Sequence, residues 1–209
     1  YGADCFRMYE MFLGPIEQSK PWDMMGIEGI NKFLRKLWSL FYNEQEEWVV
    51  TTDEPKETSY KVLHATIKKT EEDIERFSFN TAISQFMICV NELSAMKCNK
   101  RDIIKPLIIL LAPFAPHFSE EIWQALGEQT SVCDAVWPEL NEDYLVEDQV
   151  SYAVSFNGKT RFMLDVSSEA GKEEVEQLAL AHENSQKWLE GKTPKKIIVV
   201  PGKIINIVM

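Results

Sequence analysis

The hydrophobic period changes once along this chain, from 3.6 residues to 2, at about residue 150. A 3.6 period buries one stripe of a helix, and a period of 2 buries one face of a strand, so the two halves cannot share one architecture. Before the change, residues 26–43 carry the clearest pattern. Ile27, Ile30, Phe33, Leu34, Leu37, Trp38 and Phe41 recur at steps of three and four, and Lys32, Arg35, Lys36 and Ser39 occupy the opposite face. Residues 3–13 (ADCFRMYEMFL) read as a short helix that Asp4 would cap. A third helix is expected from about Lys56 to Arg76, with Val62, Ala65, Ile67 and Ile74 inward. A fourth runs from about Asn80, a candidate cap, to Leu93, with Ile83, Phe86, Met87, Val90 and Leu93 as its stripe. Residues 101–112 and 116–126 complete a helical bundle.

Residues 128–149 are polar and acidic and read as a linker. Beyond it, Val150, Tyr152 and Val154 alternate with Ser151, Ala153 and Ser155, and Thr160, Phe162, Leu164 and Val166 alternate with Arg161, Met163 and Asp165. These predict two strands joined around Asn157-Gly158. A two-residue loop would set the two apolar series on opposite faces. A three-residue loop, Phe156-Asn157-Gly158, is therefore expected, pairing Val154 with Thr160 and Tyr152 with Phe162. Helices follow at about 170–181, with Val175, Leu178 and Ala179 inward, and at about 184–190, ended by Gly191. The closing KTPKKIIVVPGKIINIVM reads as two strands around Pro201-Gly202. The expected fold is α+β: an all-α bundle over 1–127, the linker, and a small β-β-α-α-β-β domain over 150–209.

The net charge of −11 is unevenly spread. Residues 1–149 hold 14 Lys/Arg against 26 Asp/Glu, a balance of −12, whereas residues 150–209 stand at +1. Within 187–209, five lysines face one glutamate. Local charge, not the total, decides which polyion a surface attracts. No apolar run approaches the roughly 20 residues of a membrane span. The chain starts at Tyr1 without a signal segment, and its four cysteines form no C-x-x-C pair. It is therefore read as a soluble, cytoplasmic piece of a longer protein, with reduced thiols, no membrane contact and a monomeric state.

Catalytic candidates are few. The stretch LAPFAPHFSEEIWQALG (111–127) offers His117 with Glu120 and Glu121, a spacing that suggests a metal. Three converging ligands would be needed, and the helix corner explains the residues better. Pro113 and Pro116 stop one helix and Pro116 starts the next, while the two glutamates sit near the positive end of its dipole. His64 and His182 lie among charged residues and read as surface side chains. No catalytic, cofactor-binding or metal-binding residue is expected. Two basic groups remain. Lys32, Arg35 and Lys36 form a ridge that is either a solvated face or a phosphate track. Lys192, Lys195, Lys196 and Lys203 join Lys159 and Arg161, on the hairpin's outward face, in one patch, unless those lysines serve to protect a sheet edge.

YGADCFRMYEMFLGPIEQSKPWDMMGIEGINKFLRKLW resembles the segment after the catalytic lysine loop of leucyl-tRNA synthetases. RFSFNTAISQFMICVNEL and LAPFAPHFSEEIWQALG resemble the helical anticodon-binding domain of the leucyl, valyl, isoleucyl and methionyl enzymes. FNGKTRFML and KKIIVVPGKIINIV resemble the small C-terminal domain of the bacterial leucyl enzymes. The resemblance spans the whole chain. It implies a modular ligase of leucine, ATP (with magnesium) and leucine-specific tRNA, of which this piece grips tRNA and catalyses nothing. Arg7, Lys32, Arg35 and Lys36 are the RNA contacts it implies in the bundle; Asn157, Lys159, Arg161, Lys195, Lys196 and Lys203 are those in the small domain. Thr160 departs from a usual leucine, and Phe162-Met163 replace a small and a polar residue. The alternative is an acidic helical protein-interaction module with a β appendage, for which the −12 balance is the best feature.

Overall fold

A computed structural model describes every residue except 22, 24, 147, 148, 169 and 190–193. Among the described residues it holds eight α-helices and one four-stranded mixed sheet. The chain forms two compact units, Tyr1–Leu145 and Val146–Met209.

The first unit contains α1 (Ala3–Phe12), α2 (Ile27–Trp38), α3 (Glu57–Glu75), α4 (Phe79–Ala95), α5 (Arg101–Leu111) and α6 (Pro116–Ala125). Helix α2 follows its pattern: Ile27, Ile30, Phe33 and Leu37 are buried, and Lys32, Arg35 and Lys36 are exposed. Arg35 and Lys36 lie in the last turn, where cations offset the helix dipole. The buried arc of α3 differs from the expected stripe. It holds Leu63, His64, Thr66, Ile67, Thr70 and Asp73, while Val62, Ala65 and Ile74 are half-buried. Helix α4 covers one side of α3, where buried Thr66 is hydrogen-bonded: its Oγ1 donates to the Val62 carbonyl and accepts from Gln85 Nε2. A segment read as linker covers another side.

That segment is a correction. Residues 128–145 pack on the helices as part of the first unit. Val132 is buried, Trp123 Nε1 donates to the Thr130 carbonyl, and Trp137 Nε1 donates to Glu71 Oε1 at 2.9 Å. Tyr144 stacks on His64 and Tyr60 at ring distances of 4.7 and 4.9 Å. His64 is thus buried, not a surface histidine, and its Nδ1 accepts the Asn141 N–H. Burial lowers the His64 pKa, because the charged ring would lose its water.

The proline corner is built as the sequence suggests, with Pro116 as the first residue of α6. Its cap is tertiary. The N-cap position, Ala115, has no side-chain acceptor. Asp4 of α1 supplies one: the Phe118 N–H donates to Asp4 Oδ2 at 2.6 Å, and His117 Nδ1 lies 2.9 Å from Asp4 Oδ1. Asp4 therefore caps α6, not its own helix, which starts from Gly2 without a side-chain cap. Glu120 accepts from the Val132 N–H and from Ser131 Oγ, both at 2.9 Å, and these bonds lower its pKa. The glutamate pins the start of the packed segment instead of facing His117.

The second unit runs β1 (Gln149–Phe156), β2 (Lys159–Ser167), α7 (Lys172–Ala181), α8 (Glu183–Leu189), β3 (Lys196–Val200) and β4 (Ile204–Val208). Strand order is β2-β1-β4-β3, with β1 and β4 parallel and the other pairs antiparallel. One face buries Tyr152, Val154, Phe156, Leu164, Val166, Ile205 and Ile207 under Val175, Ala179 and Leu189. Leu178, expected inward, is exposed, because the short α7 turns Val175, Ala179 and, partly, Leu180 to the sheet. Gly191, the expected stop of α8, lies outside the described residues.

The hairpin register corrects the three-residue loop. Phe156 pairs with Lys159, so the loop is Asn157-Gly158, both with positive φ (48° and 81°). Ser155 then pairs with Thr160 and Val154 with Phe162. Arg161 has no partner opposite and forms a bulge. The extra residue returns Phe162, Leu164 and Val166 to the face of Val154, Tyr152 and Val150. Thr160 falls on the other face, where its hydroxyl meets Ser155 Oγ at 3.1 Å.

Candidate nucleic-acid interface

In the first unit, Lys32, Arg35 and Lys36 project from one side of α2, spaced so that neighbours along the helix stand about 5–6 Å apart at Cβ. Lys36 Nζ donates to Asn91 Oδ1 of α4 at 2.6 Å, which fixes one end of the ridge. Among the described residues none of the three is in a salt bridge, although the surrounding unit is acidic. Just past α2, Ser39 lines a cavity of about 230 Å³ together with Lys97, an exposed lysine in the left-handed conformation (φ 51°) that ends α4. Lys97 extends the basic edge, and sequence reasoning missed it because the meeting of the ends of α2 and α4 has no local signal. Arg7 stands apart from this edge. It lies on α1, and its Nη2 donates to the Pro113 carbonyl at 3.0 Å in the proline corner.

In the second unit, the sheet topology sorts the candidates by strand end. Parallel pairing of β1 with β4 puts the Asn157-Gly158 turn beside the end of β4, and antiparallel β3 starts there. Asn157, Lys159, Lys195 and Lys196 therefore gather at one end. Asn157 Oδ1 accepts the Met209 N–H at 3.0 Å, and Lys195 Nζ donates to the Met209 carbonyl at 3.2 Å. Asn206 Oδ1 accepts the Gly158 N–H and holds the turn to β4. Lys203 sits in the β3–β4 turn at the opposite end, about five residues or ~17 Å away along the strand. The single patch thus divides in two. Lys192 lies outside the described residues.

Arg161 also differs from expectation. The bulge turns it from the outward face toward α8, where its guanidinium lies 3.9 Å from the centre of the Trp188 ring. That stack holds the planar cation rigid and leaves it exposed. Lys159, opposite Phe156, lies on the same side of the sheet. The outward face carries Lys196 with exposed Met163, Ile198 and Val200. This arrangement offers several separated, water-facing cations and a fixed guanidinium. It suits contacts to phosphates of a folded polyanion. Among the described residues no group of three His, Cys, Asp or Glu could hold a metal ion.

The pattern of the anticodon-binding domain of tRNA ligase matches residues 56–177, more than half of the chain, from the base of α3 into α7. The chain is 58% identical over 209 residues to the leucine–tRNA ligase of Phocaeicola vulgatus, and 60% identical over 209 residues to that of Parabacteroides distasonis. Both matches cover 100% of this chain and 22% of the relative, so the chain spans under a quarter of the curated relatives it matches. The crystal structure of the ternary complex of Agrobacterium radiobacter LeuRS with tRNA and LeuAMS shares the fold with a TM-score of 0.74 and 28% identity, over 100% of this chain and 29% of that one. On a helical unit with an exposed basic edge, followed by a small sheet unit with its own basic end, these matches agree: the chain belongs to the anticodon-binding domain family of tRNA ligases.

Proposed function

We propose that this chain is the tRNA-gripping part of a leucine–tRNA ligase. The observation that carries the reading is the match along all 209 residues to leucine–tRNA ligases at 58–60% identity. Its likeness to a LeuRS crystallised with tRNA supports it. In the whole enzyme, leucine and ATP give leucyl adenylate, and the leucyl group then passes to tRNA. The residues for that chemistry are sought elsewhere in the parent: neither H-x-G-H nor K-M-S-K-S occurs in these 209 residues. The part described here holds the body of the tRNA so that its acceptor end reaches the catalytic site. The α2 ridge, with Lys97, contacts phosphates along one region. Asn157, Lys159, Lys195 and Lys196 contact another, with Arg161 held ready on Trp188. RNA recognition of this kind works through shape, phosphate and stacking.

Each neutralised phosphate releases counterions, so affinity for leucine tRNA falls as salt rises, with a log–log slope of about −0.7 to −0.9 per contact. Titration of labelled leucine tRNA at several salt concentrations, against heparin as an unrelated polyanion, tests this. Charge reversal at Lys32 and Arg35, or at Lys196, should weaken binding and flatten the slope by about one per lost contact. Salt-independent binding, or heparin bound as tightly as the tRNA, defeats the proposal.

A further inference from the structure

We propose that the first unit carries a binding site for a small organic cation with an apolar body. The site is a cavity of about 750 Å³, within the usual range of small-molecule pockets, about 300–1,000 Å³. Met11 of α1, Ile74 of α3, Phe79 at the start of α4 and Phe114 of the proline corner form its apolar wall. Phe79 and Phe114 meet edge to face with ring centres 6.2 Å apart, which fixes both rings. Trp137 closes another side, and its indole N–H is committed to Glu71 Oε1. That bond holds both the ring and the carboxylate at the pocket.

The charge at the mouth selects the ligand. Glu71 and Glu75 stand one turn apart on α3 and both line the cavity. Among the described residues neither takes part in a salt bridge. Two carboxylates outside any salt bridge, beside aromatic walls, disfavour an anion and give a neutral molecule only its apolar burial; Arg7, which donates to the carbonyl of the lining Pro113, leaves the pair of carboxylates in excess by one charge. An ammonium group gains ion pairing and ring contact as well. A smaller recess of about 250 Å³ shares Met11 and Phe79 and adds Glu10, Ile16 and Phe77. A ligand longer than one ring system therefore has room toward a third carboxylate. This site faces away from the chemistry of tRNA binding, because it attracts the charge opposite to phosphate.

Dansylcadaverine, a naphthalene body with a primary ammonium, is a suitable probe. Its control is N-pentyl dansylamide, the same body without charge. Fluorescence titration of the 209-residue chain should show saturable binding of the amine at least about tenfold tighter than the control, equivalent to ~1.4 kcal/mol. Glu75→Gln should remove most of that difference, with far-ultraviolet circular dichroism unchanged. Ile74→Trp, which fills the cavity, should abolish binding of both. Equal affinity for amine and control, or no effect of Glu75→Gln, overturns the assignment. The same probe must also bind the full-length enzyme that carries this region. Binding to the 209 residues alone would make the cavity an intramolecular contact surface and would overturn it too. Since the assay contains no RNA, its failure leaves the tRNA reading intact.

Discussion

Replacing Asp4 with alanine should destabilise the corner between α5 and α6, not the helix that carries it. In the folded chain Asp4 is almost wholly buried and accepts the Phe118 N–H, the third-residue donor of α6. Loss of an N-cap acceptor costs about 0.5–2 kcal/mol. Leaving a part-buried donor unpaired costs about 1–3 kcal/mol. Both figures count the same N–H, so they overlap, and about 2 kcal/mol is expected. For a chain of 209 residues that is a fall in Tm of about 4–8 °C. Asp4→Asn separates the cap from the charge, because asparagine is as good an acceptor at this position. It should lose less than half as much. The measurements are urea unfolding followed by tryptophan fluorescence and hydrogen exchange at the Phe118 amide. If Asp4→Ala stays within about 0.5 kcal/mol of the parent, the range of an ordinary surface change, the tertiary cap is wrong. If Asp4→Asn costs as much as alanine, the pairing with His117 matters more than the cap.

Other outcomes follow from the same structure. Burial depresses the His64 pKa, so the unfolded chain binds the proton first as pH falls through about 6.5. The histidine's contribution is complete above that value and is lost as pH falls toward the lower folded value. His64→Phe should flatten this part of the pH–stability curve measured by urea unfolding. Cys89 is buried and its thiol is pushed up to about 12, while Cys133 is exposed. A thiol reagent at neutral pH should therefore modify one of the four cysteines quickly, and Cys133→Ser should remove that fast phase. Trp188→Ala should cost the second unit about 0.5–1 kcal/mol through the lost Arg161 stack alone, read by amide exchange in β1 and β2.

Much of the fold was legible because it is local. The stripe of α2 needs only its own residues, and Pro116 starts α6 by its fixed φ. The misses come from partners far along the chain. His64 looked exposed because the groups that bury it arrive with Asn141 and Tyr144, some 77 residues later. Asp4 finds its donor 114 residues away. The acidic stretch after α6 hid Val132 and Trp137, which bind it to the helices. The candidate RNA contacts were named by charge, and charge does not give strand order. Only the β2-β1-β4-β3 arrangement separates Lys203 from Lys195 and Lys196, and only the bulge carries Arg161 to Trp188.

The bulge at Arg161 also constrains how this hairpin can change length during evolution. Side chains alternate across a strand, so what matters is whether the number of residues between Val154 and Phe162 is odd or even. Losing one residue there reverses every side chain beyond it, and two losses restore them. A three-residue turn without a bulge has the same parity as a two-residue turn with one. Relatives can exchange the one for the other without touching the core. A lone single-residue gap in an alignment here would turn the rest of the strand inside out, and is therefore to be sought together with a second, compensating change of one residue.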